Sequence, residues 1–376
     1  MGRGFESAAI TEEGSSLNIW VDALILDHQA SGIGQYLRLL LEHYCRRYPE
    51  DTVTGIFRPG MQIDGVNTVE APEVHGGRRI LYEQVVLPGR LKKARPDVVH
   101  FPDYQLPLAR RLPHTVITVH DLAAFVRPEF FPQQKSWLKR TLMERSVSLA
   151  TRIIVPSQAT RDDLVNILHV PPEKIAVIPH GVKVSAAAHP DRVSDVPYFL
   201  AVGTVEPRKN FAGLIQAYHI LRSRFADAPD LIIAGRLGWM YDETLEMPEK
   251  LGVAGHVKFL QYVSEDILAA LYRDAKGFIY PSFYEGFGLP VVEAMRAGIP
   301  VVTSSQGSLA EIGGDAVWRV DPESVESIAD AMASILQHPD AARDRARQGQ
   351  DWVQQLSWDK AAAATRQVYE AAALGG

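Results

Sequence analysis

The chain has a single cysteine, Cys45, in 376 residues. It can therefore form neither an internal disulfide nor a thiolate metal cluster, a usage that matches a reducing compartment. Long apolar runs are missing too. Stretches such as "RIIVP" and "LIIAG" are strand length, far below the roughly 20 residues that span a bilayer. The opening "MGRGFESAAITEEGSS" carries acids and lacks the apolar block of a secretory signal, so residues 1–16 read as a disordered leader and the protein as cytoplasmic. Neither a full Gly-x-Gly-x-x-Gly nor a Walker lysine pattern occurs, so the two strongest sequence signs of nucleotide binding are absent. Basic charge is not in excess, with 39 Lys+Arg against 45 Asp+Glu, and nucleic acid is not the expected partner.

The charge that is present is uneven. Residues 1–190 hold 22 Lys+Arg and 20 Asp+Glu, and the remainder 17 and 25, so the halves carry +2 and −8. From Arg78 to Arg95 there are six basic residues and one acid, Glu83. Such a run is either a solvated helix face or a surface that meets anionic headgroups or a phosphate-bearing substrate.

Length and apolar content exceed what one ordinary core holds, and strands alternate with helices throughout, the pattern of parallel sheets with helical crossovers. "LNIWVDA", "PDVVHFP", "HTVITVHD", "TRIIVPS" and "KIAVIPHGV" read as strands of a first half, with a helix start at Ser157. "YFLAVGT", "DLIIAG", "HVKFLQY", "GFIYPS" and "PVVTS" read as strands of a second. The fold class expected is α/β, two Rossmann-like doubly wound parallel-sheet domains facing across a cleft. Boundaries are set at 17–184 and 197–355, with the small, proline-bearing 185–196 as linker and 356–376 as a C-terminal helix that crosses back to the first domain.

Ligands of open parallel sheets bind beyond the carboxyl ends of the strands. Arg208 and Lys209 stand there, between a strand end and a helix start. Two cations at the positive end of a helix are a poor choice for its dipole and a good one for a diphosphate, although a surface pair bonded to Glu206 is the plainer alternative. Later, "FYEGFGLPVVEAM" places Glu285 and Glu293 on either side of a Gly-x-Gly turn. One carboxylate suits sugar hydroxyls and the other the vicinal hydroxyls of a ribose. Singly, Glu285 would be a capping partner and Glu293 an exposed helix residue. Paired acids about 5–9 Å apart also define glycosidases.

Glu285, seven residues, then Glu293 within "FYEGFGLPVVEAMRAGIPVVTS" resembles the signature of retaining family-4 glycosyltransferases of the GT-B fold. The likeness runs from "SGIGQYL" through "VHDL", "VPSQATRDDL", "VIPHGV" and "EPRKN" to "LSWDKAA". "GTVEPRKN" with "AGRLGWMYDE" is most similar to members that build bacterial surface polysaccharides, many of them α-mannosyltransferases using GDP-mannose.

The resemblance implies roles by position. Arg208 and Lys209 neutralise the donor diphosphate, and Glu285 faces the donor sugar. Phe287, Gly288 and Leu289 offer backbone to its hydroxyls and phosphates, and Glu293 holds the ribose. Gly32 and Gly34 belong to the loop that closes over phosphate and acceptor. His120 lies beside the donor sugar, with Asp121 orienting it or the loop. Tyr262, Val263 and Ser264 read the base, though "QYV" stands where "GYV" is usual. Trp239 and Tyr241 read as donor contacts or as packing.

Front-face attack is implied, the departing diphosphate taking the acceptor proton. No Asp-x-Asp occurs, so neither metal nor other cofactor is expected. The partners implied are a nucleotide-sugar and a saccharide or polyprenyl-linked acceptor. The alternatives are a UDP- or dTDP-sugar transferase, a GT-B sugar-nucleotide epimerase, and a non-catalytic nucleotide-binding relative.

Overall fold

Strands buried on both faces need helices on both sides, and every strand pairing among the described residues is parallel. The computed structural model describes residues 16–26, 32–73, 81–108, 112, 114–183 and 192–375. Most of the leader, residues 185–191 of the linker, and Arg78 and Arg79 of the basic run lie outside them.

A seven-stranded sheet is built from β1 (Asn18–Asp22), β2 (Thr52–Phe57), β3 (Asn67–Glu70), β4 (Val98–Phe101), β5 (Thr115–Thr118), β6 (Arg152–Val155) and β7 (Ile175–Val177). Its order is β3-β2-β1-β4-β5-β6-β7. A six-stranded sheet follows from β8 (Tyr198–Val202), β9 (Asp230–Ala234), β10 (Val257–Leu260), β11 (Gly277–Tyr280), β12 (Val301–Ser304) and β13 (Trp318–Val320), in the order β10-β9-β8-β11-β12-β13. Both orders are doubly wound and reverse direction beside their first strand, between β1 and β4 and between β8 and β11. Two α/β domains of the expected class result, each with apolar clusters on the two faces of its sheet.

Local chemistry fixes the helix starts that matter for the cleft. Ser157 Oγ accepts from Thr160 N–H at 3.1 Å, capping helix Gln158–Leu168. Ser264 caps helix Glu265–Asp274 in the same way. Gly288, at φ 112°, turns the chain into helix Leu289–Ala297, a backbone angle that a residue with a Cβ rarely adopts.

The C-terminal helix, Trp358–Ala373, leaves the second domain and packs on the first helix of the chain, Gly32–Arg47. Asp51 ties it down. Its carboxylate accepts from Arg366 Nε at 3.0 Å, Tyr44 Oη at 2.7 Å and Leu17 N–H at 2.9 Å. Tyr369 Oη bonds Nδ1 of the fully buried His100 at 2.7 Å. At the helix start Trp358 stacks on His180, centroids 5.8 Å apart. The helix thus spans from the first domain's core to the cleft.

Candidate active site

Segments leaving the carboxyl ends of both sheets enclose one cavity of about 890 Å³, within the range that encloses a small ligand. The 3₁₀ turn Pro207–Lys209, which follows β8, brings Arg208 and Lys209 to its wall, and the segment after β11 brings Glu285. Lys209 Nζ donates to Glu285 Oε1 and to Tyr280 Oη, both at 2.6 Å, and Tyr280 Oη donates to Glu285 Oε1 at 2.9 Å. Arg208 Nη1 donates to Glu285 Oε2 at 2.7 Å and to the Tyr284 carbonyl at 2.9 Å. On its other side the guanidinium bonds Glu206 Oε1 through Nε at 3.0 Å and Nη2 at 2.8 Å. The partner expected of a surface pair is therefore present, in a cluster whose Lys209 and Glu285 are each only 8% exposed.

Burial by itself would raise the Glu285 carboxyl, but Arg208 and Lys209 outweigh it and hold it at about 2. Burial pulls the Lys209 ammonium down, with Glu285 opposing. Glu293 accepts from Tyr272 Oη at 3.0 Å and is paired with no cation among the described residues; burial pushes it up to about 7 against the lowering influence of Tyr272 and Lys183. The two carboxylates thus differ chemically: the cations keep Glu285 ionised, whereas burial makes Glu293 hold its proton to much higher pH.

The first domain supplies the opposite wall. His120 follows β5, and its Nε2 lies 2.8 Å from the Pro102 carbonyl. That oxygen can only accept, so Nε2 carries the proton and Nδ1 is the acceptor. Burial lowers the His120 pKa against the raising influence of Asp103, so the ring is neutral. Asp121 holds the loop rather than the imidazole: its Oδ1 accepts from Ala123 N–H at 3.0 Å.

Gly32, Phe287, Gly288, Leu289, Glu293, Tyr262, Val263 and Trp239 also line the cavity. Gly34 does not; it is buried inside the first helix, so only Gly32 stands where the expected loop function would place it. Tyr241 packs into the second domain's core and Ser264 is a helix cap, so neither reaches the wall. Trp239 Nε1–H donates to the Phe130 carbonyl across the cleft at 2.6 Å, which is the packing alternative for its polar end. Tyr262 is half exposed under the Arg236 guanidinium, 5.0 Å from its ring centroid.

Sequence reasoning assigned no role to several wall residues. His180 follows β7, is buried, and sits 5.1 Å from the Phe287 ring, centroid to centroid. Tyr280 ends β11, and Lys183 pairs with Glu265 at the cavity edge. Position at or just beyond the carboxyl end of a strand was the available signal for all three.

Residues 30–186 match Glycosyltransferase Family 4, and residues 187–352 match glycosyl transferases group 1. The O-antigen chain mannosyltransferase B of Escherichia coli is 32% identical over 296 residues, covering 74% of this chain and 76% of the relative. The chain is a family-4 glycosyltransferase. The O-antigen chain mannosyltransferase RfbU of Salmonella typhimurium is 32% identical over 63% of this chain and 64% of its own length. Among solved structures, the sucrose-phosphate synthase of Thermosynechococcus elongatus superposes with a TM-score of 0.74 at 21% identity, over 94% of this chain and 98% of that one. The glycosyltransferase has the GT-B fold. No described helix is long and apolar enough to cross a membrane.

Proposed function

We propose that the enzyme transfers mannose from GDP-mannose, with retention and without a metal, to a saccharide or lipid-linked saccharide in surface polysaccharide assembly. The observation that carries the reading is the Arg208–Lys209–Glu285 cluster. Two cations are held in a dry wall by carboxylates, so a diphosphate meets donors already aimed and desolvated. Backbone N–H groups at the start of helix Leu289–Ala297 add to them. The choice of mannose rests on the two mannosyltransferase relatives.

In this reading the C1–phosphate bond breaks while the acceptor oxygen bonds C1 on the same face, and the acceptor proton passes to the leaving phosphate oxygen. Glu285 anchors sugar hydroxyls, and neutral His120 accepts from another. The cation pair supplies charge neutralisation that a metal ion would otherwise provide.

A thermal-shift panel of GDP, UDP, dTDP and ADP with their sugar conjugates tests this. A ligand at a hundredfold its Kd stabilises by about 2.7 kcal/mol. Selective response to GDP and GDP-mannose supports the reading; response to UDP or dTDP conjugates alone removes mannose, and no response removes the donor site.

Glu293 gives the donor affinity a pH dependence. Its carboxyl is raised to about 7, and ribose hydroxyls donate better to the ionised form, so bound donor expels the proton. Affinity for GDP-mannose therefore rises with pH, about tenfold from pH 6 to 8. Calorimetry should show that rise in wild type and a flat profile in Glu293→Gln; two flat profiles refute the assignment.

The described part of the basic run bears on membrane contact. Leu81, Val85 and Val86 are 60%, 54% and 44% exposed, beside the exposed Lys92 and Lys93. We infer peripheral contact with anionic lipid, at about 1 kcal/mol per basic residue. Binding to phosphatidylglycerol vesicles should fall at least tenfold in the Lys92→Glu, Lys93→Glu double variant, and unchanged binding would reject it.

A further inference from the structure

The loop that carries Glu285 is gripped from the opposite domain. Helix Gln158–Leu168 of the first domain begins, like any helix, with backbone N–H groups that have no partner within it. Ser157 takes that of Thr160. Those of Gln158 and Ala159 donate across the cleft to the two oxygens of Glu311, at 3.0 and 2.6 Å. Glu311 ends the second domain's turn Gly307–Glu311. From the same turn, Ser308 Oγ donates to the Glu285 carbonyl at 2.7 Å and lies 3.3 Å from that of Phe287. Further contacts converge on the loop. Thr160 Oγ1 donates to the Gly286 carbonyl at 3.2 Å. Tyr284 Oη donates to Asp163 Oδ2 at 2.6 Å and accepts from Leu122 N–H at 3.2 Å.

These bonds differ in what breaking them costs. Glu311 is exposed, so when the domains part, its carboxylate and the two freed N–H groups all find water. The contact is charge-assisted, bidentate and favoured by the helix dipole, yet reversible. Within the second domain, Ser308 joins Glu311's turn to the backbone on both sides of Gly286.

We propose that Glu311 is a positioning residue for sugar transfer: on domain closure it caps helix Gln158–Leu168 from the other domain and, through Ser308 and Thr160, fixes the loop that presents Glu285 to the donor. The inference rests on the transferase reading for its kinetic consequence, but its geometric consequence can be measured without any donor.

Nitroxides at Glu173→Cys and Arg347→Cys, exposed positions in the first and second domains, report the interdomain distance in a Cys45→Ser background. Glu311→Ala is expected to lower the closed-to-open ratio about tenfold, and Glu311→Gln, which keeps one acceptor oxygen but loses the charge, about threefold. With GDP-mannose as donor, kcat of Glu311→Ala falls about tenfold while KM stays within twofold, because Arg208, Lys209 and Glu293, the side chains assigned to the nucleotide, all lie in the second domain. An unchanged distance distribution in Glu311→Ala overturns the proposal, whether or not the variant is less heat-stable. A closure-dependent distance with no GDP-mannose turnover by wild type would leave the proposal supported and reject the donor assignment instead.

Discussion

Lys209→Ala is expected to lower kcat/KM for sugar transfer about a thousandfold while the protein stays folded. The ammonium sits 2.6 Å from both Glu285 Oε1 and Tyr280 Oη in a nearly dry wall. Removing one charged group aimed at developing charge in such a site costs about 10²–10³ in rate. Water entering the vacated volume weakens Arg208 as well. Folding survives because Glu285 keeps Arg208 at 2.7 Å and Tyr280 at 2.9 Å, so no buried charge is left alone. Lys209→Arg should not rescue, since a planar fork needs room that an 8% exposed position lacks. Steady-state transfer rates and unfolding midpoints check both variants. Activity of Lys209→Ala within tenfold of wild type would remove the diphosphate from this wall.

Gly286→Ala should be nearly as damaging, for a steric reason. A Cβ on Gly286 would lie 1.6 Å from the His120 carbonyl oxygen and 3.0 Å from Asp121 Cβ. The clash is with backbone of the other domain, so no rotamer change relieves it. The domains must stand further apart, and displacing a reacting group by about 1 Å costs about a hundredfold. We expect kcat to fall at least a hundredfold, with GDP affinity within threefold of wild type and an unfolding midpoint close to it. Calorimetry and transfer assays on one preparation separate these quantities. Wild-type kcat in this variant would mean that the closed arrangement is not the working one.

How far the sequence foretold these features depended on whether the cause was local. β1, β8 and β11 are short apolar runs ended by Gly, Pro or Asp, and their strand length together with those bounding residues reveals them. β2, "TVTGIF", is interrupted by threonine and glycine, and β3, "NTVE", is a mostly exposed edge. Both owe their strand state to pairing with β1 and β2 rather than to pattern. The positions of Arg208, Lys209 and Glu285 at strand ends were readable, but their mutual distances were not, because 75 residues of chain separate Lys209 from Glu285. Tyr272 and His180 went unassigned because what matters is which side chain each meets: Tyr272 meets Glu293, and His180 lies between Phe287 and Trp358. Gly34 was grouped with Gly32 as loop, yet the helix begins at Gly32. Two glycines separated by one residue, Ile33, read as a turn, and only packing of the first helix against the sheet decides where the turn ends.

Retention and metal independence are read together by incubating the enzyme with GDP-mannose labelled at C1 with ¹³C, an α-mannosyl oligosaccharide and excess EDTA. The anomeric configuration of the product is read from its one-bond ¹³C–¹H coupling. An α-linked product is expected, formed at the same rate with and without chelator. A β-linked product would rule out retention, and a reaction that stops in EDTA and restarts with a divalent cation would rule out charge neutralisation by Arg208 and Lys209 alone.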